Sequence, residues 1–352
     1  MHLAHLLIIT WGTNEKKFLI IDSRPYGLYS IFLHTIDNIK WAHDNNYIPV
    51  VRWGPGRRDP NRGRLGAQEA TISKDPSKVI DKNNFLTDLT PPSLNNTPGL
   101  KHCQCLYWSE DGWNGSKNIW EYYYEPLNEF TIEEAENSDH DVSDIFMVGE
   151  LDNNPDNKFL IADIHRYEPL ALWNLLGTEA EKQHRKNVYD VINDNVKVKQ
   201  EILDKVNLFY NKYFDDEVLA VHVRGTDKKL EYPHKALPLD AYLNAIQNRL
   251  DIKDTKIFVA SDNNEAIMEM MKKFGRKRII AMPAVRMNKY FSPDPICLTS
   301  ATGPKHGEEC LMESLLLAKC NHLICTDSNV AAGALYMNPN SEVTYLNRIY
   351  GR

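Results

Sequence analysis

A chain of 352 residues exceeds what one hydrophobic core usually organises, so two domains of ordinary size with a cleft between them are expected. The net charge of −7 excludes the broad basic face that non-specific nucleic-acid binding needs, and any bound phosphate must be met by local positive charge. Hydrophobic residues at 42 % and charged residues at 25 % are globular averages, and no run of about 18 apolar residues offers a membrane span.

The opening stretch MHLAHLLIITWG has no basic segment ahead of its short apolar run. It reads as a buried strand rather than a secretory leader, and a cytoplasmic protein is expected. Of the six cysteines only Cys103 and Cys105 are near-neighbours, which is not a zinc spacing, so free thiols in a reducing compartment are expected. The Asn-x-Ser/Thr matches at Asn95 and Asn114 carry little weight without a leader.

Residues 18 to 21 (FLII) form an apolar run closed by Asp22-Ser23-Arg24-Pro25-Tyr26-Gly27. Core-type side chains then recur at Ile31, Phe32, Thr35, Ile36, Ile39 and Ala42, the spacing of an amphipathic helix, and residues 47 to 53 read as the next strand. A βαβ unit and a parallel sheet follow. From Gly54 to Gly115 the pattern dissolves into Gly, Pro, Asn, Asp and Arg, which predicts long loops or an insertion. Residues 118 to 126 (NIWEYYYEP) are dense in aromatic rings suited to a core or to a sugar-stacking wall, with the core reading preferred. The acidic stretch from 130 to 158 reads as a solvated surface loop. A helical stretch from Glu168 to Tyr213, broken near Asn193-Asp194-Asn195, bridges to the second half.

That half alternates regularly. Strands are predicted at 217–223, 255–260, 278–282 and 321–325, and helices at 239–250, 264–274, 307–319 and 328–336. The alternation specifies a doubly wound α/β sheet, whose ligands sit beyond the carboxyl ends of the strands.

Three strand ends are candidates. Residues 222 to 229 (HVRGTDKK) release a guanidinium, a glycine, a hydroxyl and an ammonium within a few positions, which suits a diphosphate. The plainer reading is a basic surface turn. At Ser261-Asp262-Asn263, Asp262 is suited to accept hydrogen bonds from a base or ribose, or else to cap the next helix. At Thr326-Asp327-Ser328-Asn329 the strand enters a helix whose amides would point at an anion, again with capping as the plainer alternative. Glu313, within the preceding helix, is either a solvated charge or a reader of the two donors on a guanine edge. Together these ends put a cation, two carboxylates and a capped helix along one sheet edge, the composition of a nucleotide-diphosphate site.

With these residues in hand, the sequence resembles the fucosyltransferase superfamily that includes the core alpha-1,6-fucosyltransferase, the nodulation fucosyltransferase and the protein O-fucosyltransferases. VHVRGTDK at 221 to 228, IFVASDNN at 257 to 264 and GEECLMESLLLAKCNHLICTDSN at 307 to 329 carry the resemblance, in family order. Pro25-Tyr26-Gly27, the strand from Tyr47 and the segment from Asn118 resemble its acceptor-side half, and Gly27 joins the donor-binding candidates on that ground. The resemblance implies a GT-B arrangement of two facing Rossmann-like domains, a GDP-sugar donor, a glycan or glycoconjugate acceptor, inversion at the anomeric carbon, and neither metal nor cofactor. Residues 1–195, with long loops at 54–115, would form the acceptor-side domain, 196–216 a bridging helix, and 217–352 the GDP-binding domain.

Residue by residue, the resemblance places Arg224 on the donor β-phosphate with His222 beside it. Asp262 stands at the acidic position after the second strand, Glu313 at that of a guanine-reading aspartate, and Thr326, Ser328 and Asn329 near the phosphates. Where the core enzyme has two adjacent arginines, Gly225 follows Arg224, so one phosphate contact is missing or supplied elsewhere. The family's proposed base falls on Tyr232, and one deletion would restore the match at Glu231, the base candidate. Lys228 would assist Arg224 as charge develops on the leaving diphosphate. Two alternatives stay open: a metal-dependent GT-A enzyme, for which only Asp139-His140-Asp141 offers an Asp-x-Asp, and a non-catalytic GDP-sugar or glycan-binding protein.

Overall fold

The apolar run at 18 to 21 is buried throughout because its strand, Lys17–Asp22 (β1), lies in the middle of a sheet that has three strands among the described residues. The computed structural model describes residues 16–23, 27–54, 105, 107, 116–143, 169–214, 217–225, 236–249, 255–288 and 303–351. The expected strand at the N-terminus and most of the expected loop at 54–115 fall outside them. Helix Leu28–Asp44 (α1) returns the chain to Ile48–Arg52 (β2), which pairs in parallel with β1 from Phe18↔Ile48 to Asp22↔Arg52. The predicted βαβ unit is therefore present.

Residues 130 to 143 correct the expectation of a surface loop in the acidic stretch, and its remainder, 144 to 158, lies outside the described residues. Thr131 and Glu134 close a capping box at the start of a short helix, Ile132–Glu136, and Asp139–Ser143 (β3) then pairs in parallel with the other side of β1. Among the described residues β3 is an edge strand, which needs little apolar sequence, and Asp141 is held there by Lys17 at 3.1 Å and by the Tyr47 hydroxyl. The Asp-x-Asp pair thus lies within a strand, which the sequence did not suggest. The aromatic segment around Trp120–Tyr123 (α2) belongs to the core: Trp120, Tyr123 and Tyr124 are buried, and Trp53 packs edge-on to Trp120 at 5.0 Å.

The bridging stretch holds the helices Pro169–Leu175 (α3), Glu179–Asn195 (α4) and Gln200–Tyr213 (α5). The break expected at 193–195 comes just beyond Asn195, and an earlier one falls at Gly177, where φ is +75°. The second sheet contains Val218–Val223 (β4), Lys256–Ser261 (β5), Ile279–Ile280 (β6), His322–Cys325 (β7) and Glu342–Tyr345 (β8). Its order is β6-β5-β4-β7-β8 and every pairing is parallel. Helices Leu239–Arg249 (α6), Asn264–Phe274 (α7), Pro304–Ala318 (α8), Asn329–Met337 (α9) and Leu346–Ile349 (α10) connect and close it. The α/β class with parallel sheets is as the sequence predicts, while β8 and α10, short and peripheral, were not anticipated.

Successive strands run outward from β4 to β6, and the chain then returns to the other side of β4 for β7 and β8. The carboxyl ends of β4 and β7 therefore flank a topological switch point. Period-two alternation sorts the side chains. Leu219, Val221, Val223, Ile257 and Val259 enter one cluster with α6 and α7, whereas Val218, Ala220, Phe258, Ala260, Leu323 and Cys325 enter another that continues through α8 and α9 into α1 and the aromatic segment. The two sheets thus share one apolar cluster. Free thiols are found at Cys105, Cys310, Cys320 and Cys325, as expected, and Cys103 and Cys297 lie outside the described residues. No helix among the described residues is long and apolar enough to cross a membrane.

Close approach of α1 to α9 depends on Gly333, where an added Cβ would fall onto the ring of Tyr29. Tyr29 is 2 % exposed and cannot swing into solvent. Gly333→Ala is therefore expected to destabilise the fold by about 1–3 kcal/mol, read as a lower denaturant midpoint at unchanged slope.

Candidate functional site

Alternation along β4 puts His222 and Arg224 on the same side as Ala220, toward the shared cluster and α8. His222 is 5 % exposed, and its place in the strand makes it part of the floor beneath Arg224. The register Val223↔Ser261 brings the next residue of each strand alongside the other. Arg224 Nη1 donates to Asp262 Oδ2 at 2.6 Å and the Gly225 N–H donates to Asp262 Oδ1 at 3.0 Å. One carboxylate therefore fixes both the guanidinium and the backbone of the glycine that follows it.

The turn carrying Asp262 is itself tied down. Ser261 Oγ donates to the Val223 carbonyl at 3.0 Å and accepts from the Asn263 N–H at 3.1 Å. Capping of α7 falls to Asn263, whose side chain accepts from the Ala266 N–H at 3.1 Å. This corrects the capping alternative for Asp262: its carboxylate serves the neighbouring strand end instead. Arg224 keeps 26 % of its side chain exposed, so an anion can still reach it, while Asp262 keeps 13 %.

Glu313 lies on α8, keeps 12 % of its side chain exposed, and pairs with Arg286. Burial pushes its carboxyl up to about 7, Arg286 opposes that rise, and the nearby carboxylates of Asp262 and Glu309 add to it. Cys310, one turn earlier, is raised to about 12 by burial, with Glu313 and Asp262 adding and Arg224 opposing. Burial thus favours its neutral thiol form. These couplings put Arg224, Asp262, Cys310, Glu313 and Arg286 in one neighbourhood.

Arg286 was missed by sequence reasoning. The strand-end rule was applied to β4, β5 and β7, but β6 ends at the same sheet edge, and its following loop carries this arginine. The strand itself is legible at 278–282, but the arginine lies several residues beyond its end. At the end of β7, the Thr326 hydroxyl is buried and shares a hydrogen bond with the Tyr242 hydroxyl at 3.0 Å. Ser328 occupies the N-cap position of α9 without a side-chain cap bond, so its hydroxyl is not spent on the helix, and Asn329 begins that helix. Gly27 precedes α1 with open space around its Cα, and among the described contacts none joins it to the strand-end group. Thr226, Asp227, Lys228 and Glu231 lie outside the described residues.

No protein-family model matches the chain, and no curated protein matches it. Among solved structures it is similar in chain path to the fucosyltransferase NodZ from Bradyrhizobium, at 15% identity and a TM-score of 0.48 over 92% of each chain. A NodZ alpha-1,6-fucosyltransferase structure soaked with GDP-fucose gives 14% identity and a TM-score of 0.47, over 92% of this chain and 93% of that one. A mutant of FUT1 from Arabidopsis thaliana in complex with GDP gives 11% and 0.42, over 95% of this chain and 70% of that one. At these values the similarity assigns no role to any residue here.

The raised carboxyl of Glu313 has a stability consequence. The folded protein holds that proton more tightly than the unfolded chain, so the associated stability is fully present below about pH 4.5 and is lost as pH rises through about 7. Between about pH 5 and about pH 8 the thermal midpoint of the wild type is expected to fall relative to that of Glu313→Gln. A constant difference across that range shows that Glu313 titrates as an ordinary carboxylate.

Proposed function

We propose that this chain is a glycosyltransferase that moves fucose from GDP-fucose to a hydroxyl of an oligosaccharide or glycoconjugate, with inversion and without a metal ion. The observation that carries the reading is the anchored Arg224. It stands at the carboxyl end of β4, beside the switch point, held by Asp262 yet open enough to meet an anion. The resemblance of the three strand-end segments supports the donor class and the sugar, and the division at residues 196–216 into an acceptor-side and a donor-side domain belongs to the same reading.

In this mechanism an acceptor oxygen attacks the anomeric carbon from the face opposite the diphosphate. The bond to the β-phosphate oxygen breaks, and the sugar passes through an oxocarbenium-like transition state. Negative charge gathers on the departing GDP. A guanidinium already oriented by Asp262 meets that charge without reorganising at the moment of reaction, which is where electrostatic catalysis is most effective. Lys228 adds a second cation, the α9 N-terminus at Ser328 adds its amides, and Glu231 takes the acceptor proton. Glu313 and Asp262 serve the nucleoside, and Thr326 packs beneath the phosphates.

The test begins with GDP- and UDP-sugars screened for thermal stabilisation and for release of nucleoside diphosphate, with and without EDTA. GDP-fucose is expected to stabilise the protein and to be turned over in EDTA. Stabilisation without release favours a binding protein, and a response to UDP-sugars alone overturns the guanine assignment. Folded Arg224→Ala is expected to lose about 100- to 1,000-fold in kcat, and near-normal turnover sinks the assignment. Glu231→Gln is expected to lose about 100- to 10,000-fold, and an unchanged kcat sends the search for the base to the acceptor side.

A further inference from the structure

We infer that Arg286 is a positioning residue of the donor site, setting the Asp262 turn that holds Arg224 and presenting one oxygen of Glu313 to the donor. The inference rests on the donor-site reading above. Exposure separates the two arginines: Arg224 keeps 26 % of its side chain open, whereas Arg286 keeps 4 %. Arg224 can touch a ligand; Arg286 is sealed behind the residues it holds.

Three directions of its planar head are used on three separate stretches of chain. Nε donates to the Ser261 carbonyl at 2.8 Å, Nη1 to the Ala284 carbonyl at 3.2 Å, and Nη2 to Glu313 Oε1. Ser261 is the residue whose hydroxyl joins the ends of β4 and β5, and the next residue carries the carboxylate that clamps Arg224. The loop around Arg286 is fastened on both sides as well. The Met287 N–H donates to the Asp262 carbonyl at 2.9 Å, the Asn264 N–H to the Met287 carbonyl at 2.8 Å, and the Val285 N–H to Glu309 Oε2 at 2.9 Å. One guanidinium therefore ties the β5 turn, the loop after β6 and α8 into a fixed geometry, and a lysine, a point charge on a flexible stem, cannot meet all three acceptors.

Its contact with Oε1 leaves Oε2 of Glu313, on a side chain 12 % exposed, to accept from a donor group. A buried ion pair of this kind contributes little to fold stability, and replacement by apolar residues of similar volume is often neutral. Its effect is expected instead in how the site meets its ligand.

The experiment pairs Arg286→Met with Glu313→Met in one full-length chain and measures the unfolding midpoint, the Kd for GDP, and KM and kcat with GDP-fucose. The double variant is expected to stay folded with a lowered midpoint, because the Ser261 and Ala284 carbonyls lose their donor, while its Kd for GDP rises by about tenfold or more, the scale on which loss of an orienting partner weakens a site, with KM rising in step. Arg286→Lys, which keeps the charge and fills most of the volume, is the second variant and is expected to weaken GDP binding without restoring the wild-type Kd. A wild-type Kd in either folded variant overturns the inference and leaves the donor site standing. Failure of the wild-type protein to bind GDP overturns both.

Discussion

The carboxylate of Asp262 accepts from two donors that belong to the neighbouring strand end, and the geometry of the sheet edge follows from that arrangement. Arg224 and Gly225 lie just beyond the last residue of β4. Asp262 supplies the hold for both, at 2.6 and 3.0 Å. Taking a carboxylate partly out of water costs free energy, and the charge-assisted bonds offset it only when the geometry is fixed. Ser261 and Asn263 fix it from either side, the first by joining the strands and the second by starting α7 one residue later. A local capping signal and a cross-strand clamp thus share a turn of three residues without competing for the same side chain.

Packing of the two sheets places α8 against this edge. A small residue sets the approach: a Cβ at Gly307 would fall onto the Tyr123 hydroxyl. Polar bonds then fix the position. The Tyr122 hydroxyl donates to Glu308 at 2.6 Å, Lys205 donates to the same carboxylate at 2.6 Å, and the Tyr123 hydroxyl donates to the Pro304 carbonyl at 2.7 Å. These contacts come from residues far apart in the chain and converge on the first turns of α8. Glu313 follows on the same helix, so its place beside Arg286 is set in part by the aromatic segment of the other sheet.

Much of the second half was legible because parallel strands buried on both faces give dense apolar runs. VLAVHV and KIFVAS announce themselves, and the ligand rule then points to their carboxyl ends. β3 was not legible: an edge strand can remain stable with Asp139, His140 and Asp141 in it, since Lys17 and Tyr47 answer the charge from across the sheet. β6 was legible as the strand at 278–282, but its arginine lies several residues past the strand end, where no local pattern ties it to the site. For Asp262 the sequence offered capping and ligand binding as equals, and the helix began at a neighbour that caps it instead.

By itself the sequence determined the alternation of strands and helices, the parallel pairing, and the residue types at the ends of β4, β5 and β7. These are local properties, carried by side-chain period and by turn chemistry within a few residues. Tertiary structure decided which charges meet: Arg224 with Asp262 across 38 positions and Arg286 with Glu313 across 27. No pattern within one element encodes such a pairing, because it depends on strand register and on the height at which α8 packs across the sheet. The same reason separates the two arginines, since burial, not sequence, leaves one open to an anion and seals the other behind it.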